Sequence, residues 1–118
     1  MKFEVRDTVV ADGVLMVSVR GELDLDTAGE LRRRLGLRSG GTPPRVIDLS
    51  ECSFIDSTGL SMIVRAYRRA NSDGGGGFAI VASPGSQVRH TLRLTNIDSN
   101  IPVLGSVEAA LGTLGRTH

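Results

Sequence analysis

The sequence predicts an α/β domain, a mixed and mostly parallel β-sheet covered by helices, and three observations carry that prediction. Val46-Ile47-Asp48-Leu49 and Phe78-Ala79-Ile80-Val81-Ala82 are short, nearly continuous apolar runs of the kind required by strands covered on both faces. Segments with the 3.6-residue apolar period of amphipathic helices alternate with such runs. Two alternating segments at the start, separated by Asp12-Gly13, read as a β-hairpin that adds an antiparallel strand. With 118 residues, 40% of them hydrophobic, the chain supports one core and not two, so residues 1–118 are expected to form a single domain.

The elements follow in order. Phe3 and Val5 alternate with Lys2, Glu4 and Arg6, and Leu15, Val17 and Val19 alternate with Met16, Ser18 and Arg20, giving the two hairpin strands. Thr27-Ala28-Gly29-Glu30 has the spacing of a capping box, in which the hydroxyl and the carboxylate cap a helix start reciprocally, and Ala28, Leu31 and Leu35 supply its apolar stripe. Gly40-Gly41-Thr42-Pro43-Pro44 breaks that helix before the run at 46–49. A second helix starts near Ser57, with Leu60, Ile63, Val64 and Tyr67 on one side. After the strand at 78–82, a third helix over about Ser86 to Leu94 turns Val88 and Leu92 inward. Ile101-Pro102-Val103-Leu104 is a short strand whose proline suits an edge, and Ser106 caps a final helix with Val107, Ala110, Leu111 and Leu114 inward. The expected order is β-β-α-β-α-β-α-β-α, joined by right-handed crossovers.

Composition narrows the functional classes. The formal charge is only +1, with one Tyr, three Phe and no Trp, so neither phosphate attraction nor base stacking is advertised, and no direct nucleic-acid partner is expected. Cys52 is the only cysteine and is expected to be a buried, inert thiol. The N-terminal segment is charged every second or third residue, and no apolar run approaches the ~18 residues of a membrane span, so the expectation is a soluble, cytoplasmic protein without a membrane partner. Gly74-Gly75-Gly76-Gly77 follows a helix, leads into a strand and lacks the lysine of a phosphate loop, so it reads as a flexible connection. His90 and His118 are isolated, which leaves no metal-ligand spacing, and no cofactor is expected. Arg32, Arg33, Arg34, Arg65, Arg68 and Arg69 lie mostly off the apolar stripes and read as a solvated face.

One polar cluster stands apart. In open α/β sheets, sites gather beyond the carboxyl ends of parallel strands. Gly21-Glu22-Leu23-Asp24 leaves the second strand and Phe54-Ile55-Asp56-Ser57-Thr58-Gly59 follows the third, so if those strands are neighbours Asp24 and Ser57 share one surface. Asp56, Ser57 and Thr58 can all cap the helix that follows, yet capping needs only one of them. Three in succession, followed by a glycine that leaves the approach open, also fit a hydroxyl presented to another protein. Self-contained catalysis at Ser57 is not expected, because His90 is the one available base and the G-x-S-x-G elbow is absent.

G-E-L-D at 21–24, V-I-D-L-S at 46–50, S-F-I-D-S-T-G-L at 53–60, A-S-P at 82–84 and V-E-A-A-L at 107–111 resemble the STAS domain of bacterial anti-sigma factor antagonists, over nearly the whole chain. The resemblance implies that Ser57, directly after Asp56, is phosphorylated by an ATP-dependent anti-sigma factor serine kinase. It implies that the unphosphorylated protein captures this kinase and frees the sigma factor, and that a PP2C-type phosphatase restores the hydroxyl. The protein itself is then a substrate and not an enzyme. Asp24 and Asp56 match acidic positions beside the acceptor, and Asp24, Asp56, Ser57, Thr58 and Gly59 form the expected partner-binding set. Ser61 and Asn96 depart from the glycines common at those positions. Asn is the second choice for a left-handed residue after a helix, so Asn96 is expected to keep the turn. A constitutive STAS interaction module, or a small-ligand or nucleotide-binding STAS domain, would use the same fold without the switch.

Overall fold

The computed structural model describes residues 2–36, 42–72 and 77–114. Strands β1 (Glu4–Val9) and β2 (Leu15–Leu23) are joined through a 3-10 turn at Ala11–Gly13. Asp12 (φ +61°) and Gly13 (φ +73°) both take the left-handed conformation, as the hairpin reading requires. The antiparallel register runs from Glu4 opposite Arg20 to Val9 opposite Leu15, and it brings Val5 against Val19 inside the core. Helix α1 (Ala28–Gly36), strand β3 (Val46–Ile55), helix α2 (Ser57–Ser72), strand β4 (Ala79–Val81), helix α3 (Gln87–Leu94), strand β5 (Val103–Leu104) and helix α4 (Val107–Leu114) complete the chain. The order of strands and helices is the expected one. The strands lie side by side as β1-β2-β3-β4-β5, with β1 antiparallel and all later neighbours parallel.

The layers are unequal. Helices α1, α2 and α3 cover one face, packing Leu31, Ile63 and Leu92 onto Val17, Leu49 and Ile80. Helix α4 covers part of the other face, with Ala110 and Leu114 against Val46, Ala79 and Val81. The remainder of that second face is polar and carries Arg6, Thr8, Ser18, Arg20, Asp48 and Ser50. Strand β3 is therefore covered on both faces only at its start.

Several boundaries differ from the sequence reading for identifiable reasons. β3 runs on to Ile55, well past Leu49, because its register against β2 shifts twice: Ser18 and Arg20 face Asp48 and Glu51, and Gly21 and Glu22 face Cys52 and Phe54. Each shift inserts one extra residue in β3, a β-bulge, and lets Cys52 and Ile55 stay in the core three residues apart. β4 is shorter than 78–82, although Phe78 and Ala82 are buried at its ends. Pro102 sits just before β5 at the sheet edge, where its carbonyl accepts the Ile80 amide. The inward side of α2 also includes Met62, Ala66 and Ala70, while Val64 and Tyr67 are half-buried.

The caps divide in the same way. Ser86 and Ser106 cap α3 and α4 through their hydroxyls, which accept the amides of Arg89 and Ala109. Asn96 takes the left-handed conformation (φ +61°) after α3. The capping box at Thr27 does not form, because its hydroxyl turns back to donate to the Glu22 carbonyl (2.6 Å) and accept the Asp24 amide (2.9 Å). The glycine stretches at 40–41 and 74–76, and His118, lie outside the described residues.

Candidate functional site

Parallel pairing of β2 with β3 ends at Leu23 opposite Ile55, so the β2–α1 and β3–α2 connections leave the sheet side by side. The second connection is a single residue, Asp56. Its amide donates to the Leu23 carbonyl (3.2 Å), and its own carbonyl receives the first helical bond of α2 from Leu60 (2.9 Å). One carboxylate oxygen accepts the Gly59 amide (3.1 Å), and the other accepts the Leu25 amide (3.2 Å) from the neighbouring loop. Asp56 is thus the N-cap of α2 and the clip that holds the two loops together.

Asp24 organises the other loop. Its Oδ1 accepts the amides of Asp26 (3.0 Å) and Thr27 (3.2 Å), and its carbonyl accepts the Ala28 amide (2.8 Å) where α1 begins. Asp56 therefore places a carboxylate at the start of α2, and Asp24 and Asp26 lie in the loop that it clips. Backbone donors and solvent, with no cation paired to them in the described ion pairs, surround them.

With capping assigned to Asp56, Ser57 has no structural duty. It is the first residue of α2, its side chain is exposed, and its hydroxyl makes no hydrogen bond among the described residues. Helix geometry leaves the first amides of α2 without intrahelical partners, and those of Ser57 and Thr58 have none elsewhere among the described residues. Thr58 is half-buried. No histidine lines the groove that Ser57 opens onto, and His90 borders a different depression with Ser86 and Arg93.

Gly59 corrects the sequence reading. It was expected to leave the approach to the hydroxyl open, but it is buried and faces the sheet. A Cβ there would stand 2.8 Å from Leu23 Cγ, 2.8 Å from Ile55 Cγ1 and 3.0 Å from the Leu23 carbonyl oxygen. The missing side chain lets the first turn of α2 rest directly on the ends of β2 and β3, which fixes where Ser57 is held. Gly21 has a similar duty in β2: at φ +97° its backbone passes within 3.1 Å, measured from an imagined Cβ, of the Phe3 Cα.

Sequence reasoning missed two supports. Gln87 of α3 accepts the Ile55 amide (3.2 Å) through its side-chain oxygen and so ties the end of β3 to the third helix. Leu25, three-quarters exposed, stands in the loop clipped by Asp56, and its apolar side chain at that acidic rim is the one visible signal that could have marked it. Cys52 lies beneath the site, buried as expected. Its thiol donates to the Phe54 carbonyl (3.2 Å), and desolvation pushes its pKa above the ordinary value despite backbone hydrogen bonds that act the other way.

Among the described residues no group of three or more His, Cys, Asp or Glu side chains is arranged to hold a metal ion, and no helix is long and apolar enough to cross a membrane. The arrangement is suited to presenting a hydroxyl on a rigid, negatively rimmed surface.

Comparison with known proteins agrees with the fold. The profile of the STAS domain matches residues 6–110. The chain is 32% identical over 105 residues to the anti-sigma-F factor antagonist RsfB of Mycobacterium tuberculosis, covering 86% of this chain and 84% of that one. The crystal structure of an anti-sigma factor antagonist from Mycobacterium paratuberculosis superposes with a TM-score of 0.80 at 30% identity, over 97% of this chain and 95% of that one. The Bacillus cell fate determinant SpoIIAA in its phosphorylated form shares the fold, with a TM-score of 0.63 at 16% identity over 94% of this chain and 99% of that one.

Proposed function

This chain belongs to the STAS domain family, and we propose that within it the protein is an anti-sigma factor antagonist switched by phosphorylation of Ser57. Unphosphorylated, it captures an anti-sigma factor serine kinase through the surface around Asp24, Asp56, Ser57 and Thr58, and the sigma factor is released. The kinase transfers the γ-phosphoryl group of ATP to the Ser57 hydroxyl, the complex separates, and a PP2C-type phosphatase returns the hydroxyl. Gly59 contributes from below, as the contact that seats the helix.

The observation that carries this reading is the division of labour at the helix start. Asp56 makes the cap and the inter-loop clip, while Ser57 Oγ is exposed and unbonded among the described residues. Modifying Ser57 removes no hydrogen bond that the fold uses. A phosphoserine adds about −1.5 to −2 charges at pH 7. The free amides of Ser57 and Thr58 and the positive end of the α2 dipole favour that charge, while Asp24 and Asp56 oppose it. Folding is therefore nearly indifferent to the phosphate, and a docked partner is not. A hundredfold loss of affinity corresponds to about 2.7 kcal/mol. One like-charge contact at ~4 Å is worth roughly 4 kcal/mol at an effective dielectric near 20. A single phosphate suffices.

Incubation with anti-sigma factor serine kinases and ATP, followed by peptide mapping, tests the assignment. The expected product carries one phosphate, on Ser57. A phosphate confined to Thr58, or none with any cognate kinase, removes it.

A further inference from the structure

Ser57 stands at one end of a groove of about 410 Å³ that runs between α2 and the 3-10 turn after α3. Leu60, Val64 and Ile97 line it with apolar surface, and Arg65 and Arg68 stand at its far end. Ser57, Ser61, Val64, Arg65 and Arg68 are spaced i, i+4, i+7, i+8 and i+11, which places them on one stripe of α2. Both arginines are exposed, and neither guanidinium group takes part in a hydrogen bond or ion pair among the described residues. In this they differ from Arg33, Arg34 and Arg69, which engage Glu30, Asp7 and the Leu35 carbonyl. The charge of the groove is therefore uneven, with two unpaired guanidinium groups at one end and at the other Ser57, which directly follows Asp56 in the chain.

We infer that the arginine end of this groove docks an acidic segment of the anti-sigma factor, an inference that rests on the function proposed above. The occupant is fixed by charge complementarity and by continuity with the Ser57 surface. A segment crossing the groove meets apolar floor in the middle and cations at the end, so it carries an apolar residue followed by Asp or Glu. At a rise of 1.5 Å per residue, Arg65 and Arg68 lie roughly 12 and 16 Å along the helix from Ser57. That exceeds the Debye length of about 8 Å at physiological salt, so a phosphate on Ser57 is largely screened from the arginine contact. Docking at the arginines and release at the serine are then separable contributions to one interface.

The test uses the anti-sigma factor that phosphorylates Ser57 and measures its affinity by calorimetry at two salt concentrations. Arg65→Glu with Arg68→Glu should weaken binding about 30-fold, since each exposed pairing is small and reversal turns attraction into repulsion. The salt dependence should become shallower, and the circular dichroism should match wild type. Arg20→Glu with Arg93→Glu changes net charge equally on surfaces outside the groove and should stay within about threefold. Adding Ser57→Asp to the groove pair should multiply the separate losses, as expected for sites more than about 10 Å apart. Equal losses from both pairs would reduce the effect to net charge and overturn the inference. Wild-type affinity in the groove pair would overturn it too, while leaving the Ser57 switch intact. Failure of every anti-sigma factor to bind wild-type protein would overturn the proposed function and this inference together.

Discussion

Replacing Gly59 with alanine sets two effects of opposite sign against each other. Alanine is favoured over glycine in a helix by up to ~1 kcal/mol, and less in a first turn, where the residue sits. Against this, the new Cβ would stand 2.8 Å from both Leu23 Cγ and Ile55 Cγ1 and 3.0 Å from the Leu23 carbonyl oxygen. Leu23 and Ile55 are fully buried and cannot swing aside, and the carbonyl already accepts the Asp56 amide. The start of α2 must lift, at an overpacking cost of about 1–3 kcal/mol. The net loss is about 1–2 kcal/mol, a fall of roughly 4–8 °C in melting temperature for a domain of this size. Gly112 of α4 offers the control, because a Cβ there meets nothing within 4 Å. Gly112→Ala should raise the melting temperature by roughly 2–4 °C. Thermal denaturation followed by circular dichroism reads both variants. A Gly59→Ala protein that melts at or above wild type would refute the claim that this glycine seats the helix on the strands.

Three further outcomes follow from the site. Asp56→Ala removes the cap and the Leu25 clip together and should cost about 1–3 kcal/mol in urea unfolding, whereas Asp56→Asn keeps a capping oxygen for Gly59 but sets an NH2 donor against the Leu25 amide and should recover only part of that loss; an unchanged midpoint for Asp56→Ala would contradict the double role. Phosphorylation of Ser57 should move the melting temperature by only a few degrees, since a dipole gain of ~0.3–2 kcal/mol is opposed by Asp24 and Asp56; a drop beyond about 10 °C would mean that modification melts the helix. Burial raises the native Cys52 pKa above that of the unfolded chain, so the fold favours the protonated thiol. Its contribution is complete below the unfolded value of about 8.5 and is lost as pH rises through the higher native value. Stability measured across alkaline pH should therefore fall more steeply in wild type than in Cys52→Ala, and parallel curves would contradict the assignment.

The hairpin, the order of elements and the adjacency of the two polar loops were legible because apolar periodicity and turn residues report them locally. The adjacency of the loops that carry Asp24 and Ser57 followed once β2 and β3 proved to be neighbours. The true length of β3 was hidden by its two bulges, which shift the inward positions from every second residue to Cys52 and then Ile55 and so erase the alternation that marks a strand. Thr27 matched a capping box by spacing, but the competing acceptor at Glu22 and donor at Asp24 exist only once the loop is folded. Gly59 acts in part through Leu23, and Gln87 through Ile55, residues far away in sequence, and no local pattern encodes such contacts. The resemblance to STAS domains pointed to Ser57 as the proposed acceptor, whereas its freedom from capping became visible only with the bonds of Asp56.

The most direct test of the account is the affinity of the anti-sigma factor kinase for two forms of this protein, unmodified and phosphorylated at Ser57, measured by calorimetry without ATP. Unmodified protein should bind, and the phosphorylated form should bind at least about 100-fold more weakly, a difference of ~2.7 kcal/mol, with Ser57→Asp between them because aspartate carries less charge. Equal affinity for the phosphorylated and unmodified proteins would contradict an electrostatic switch at Ser57.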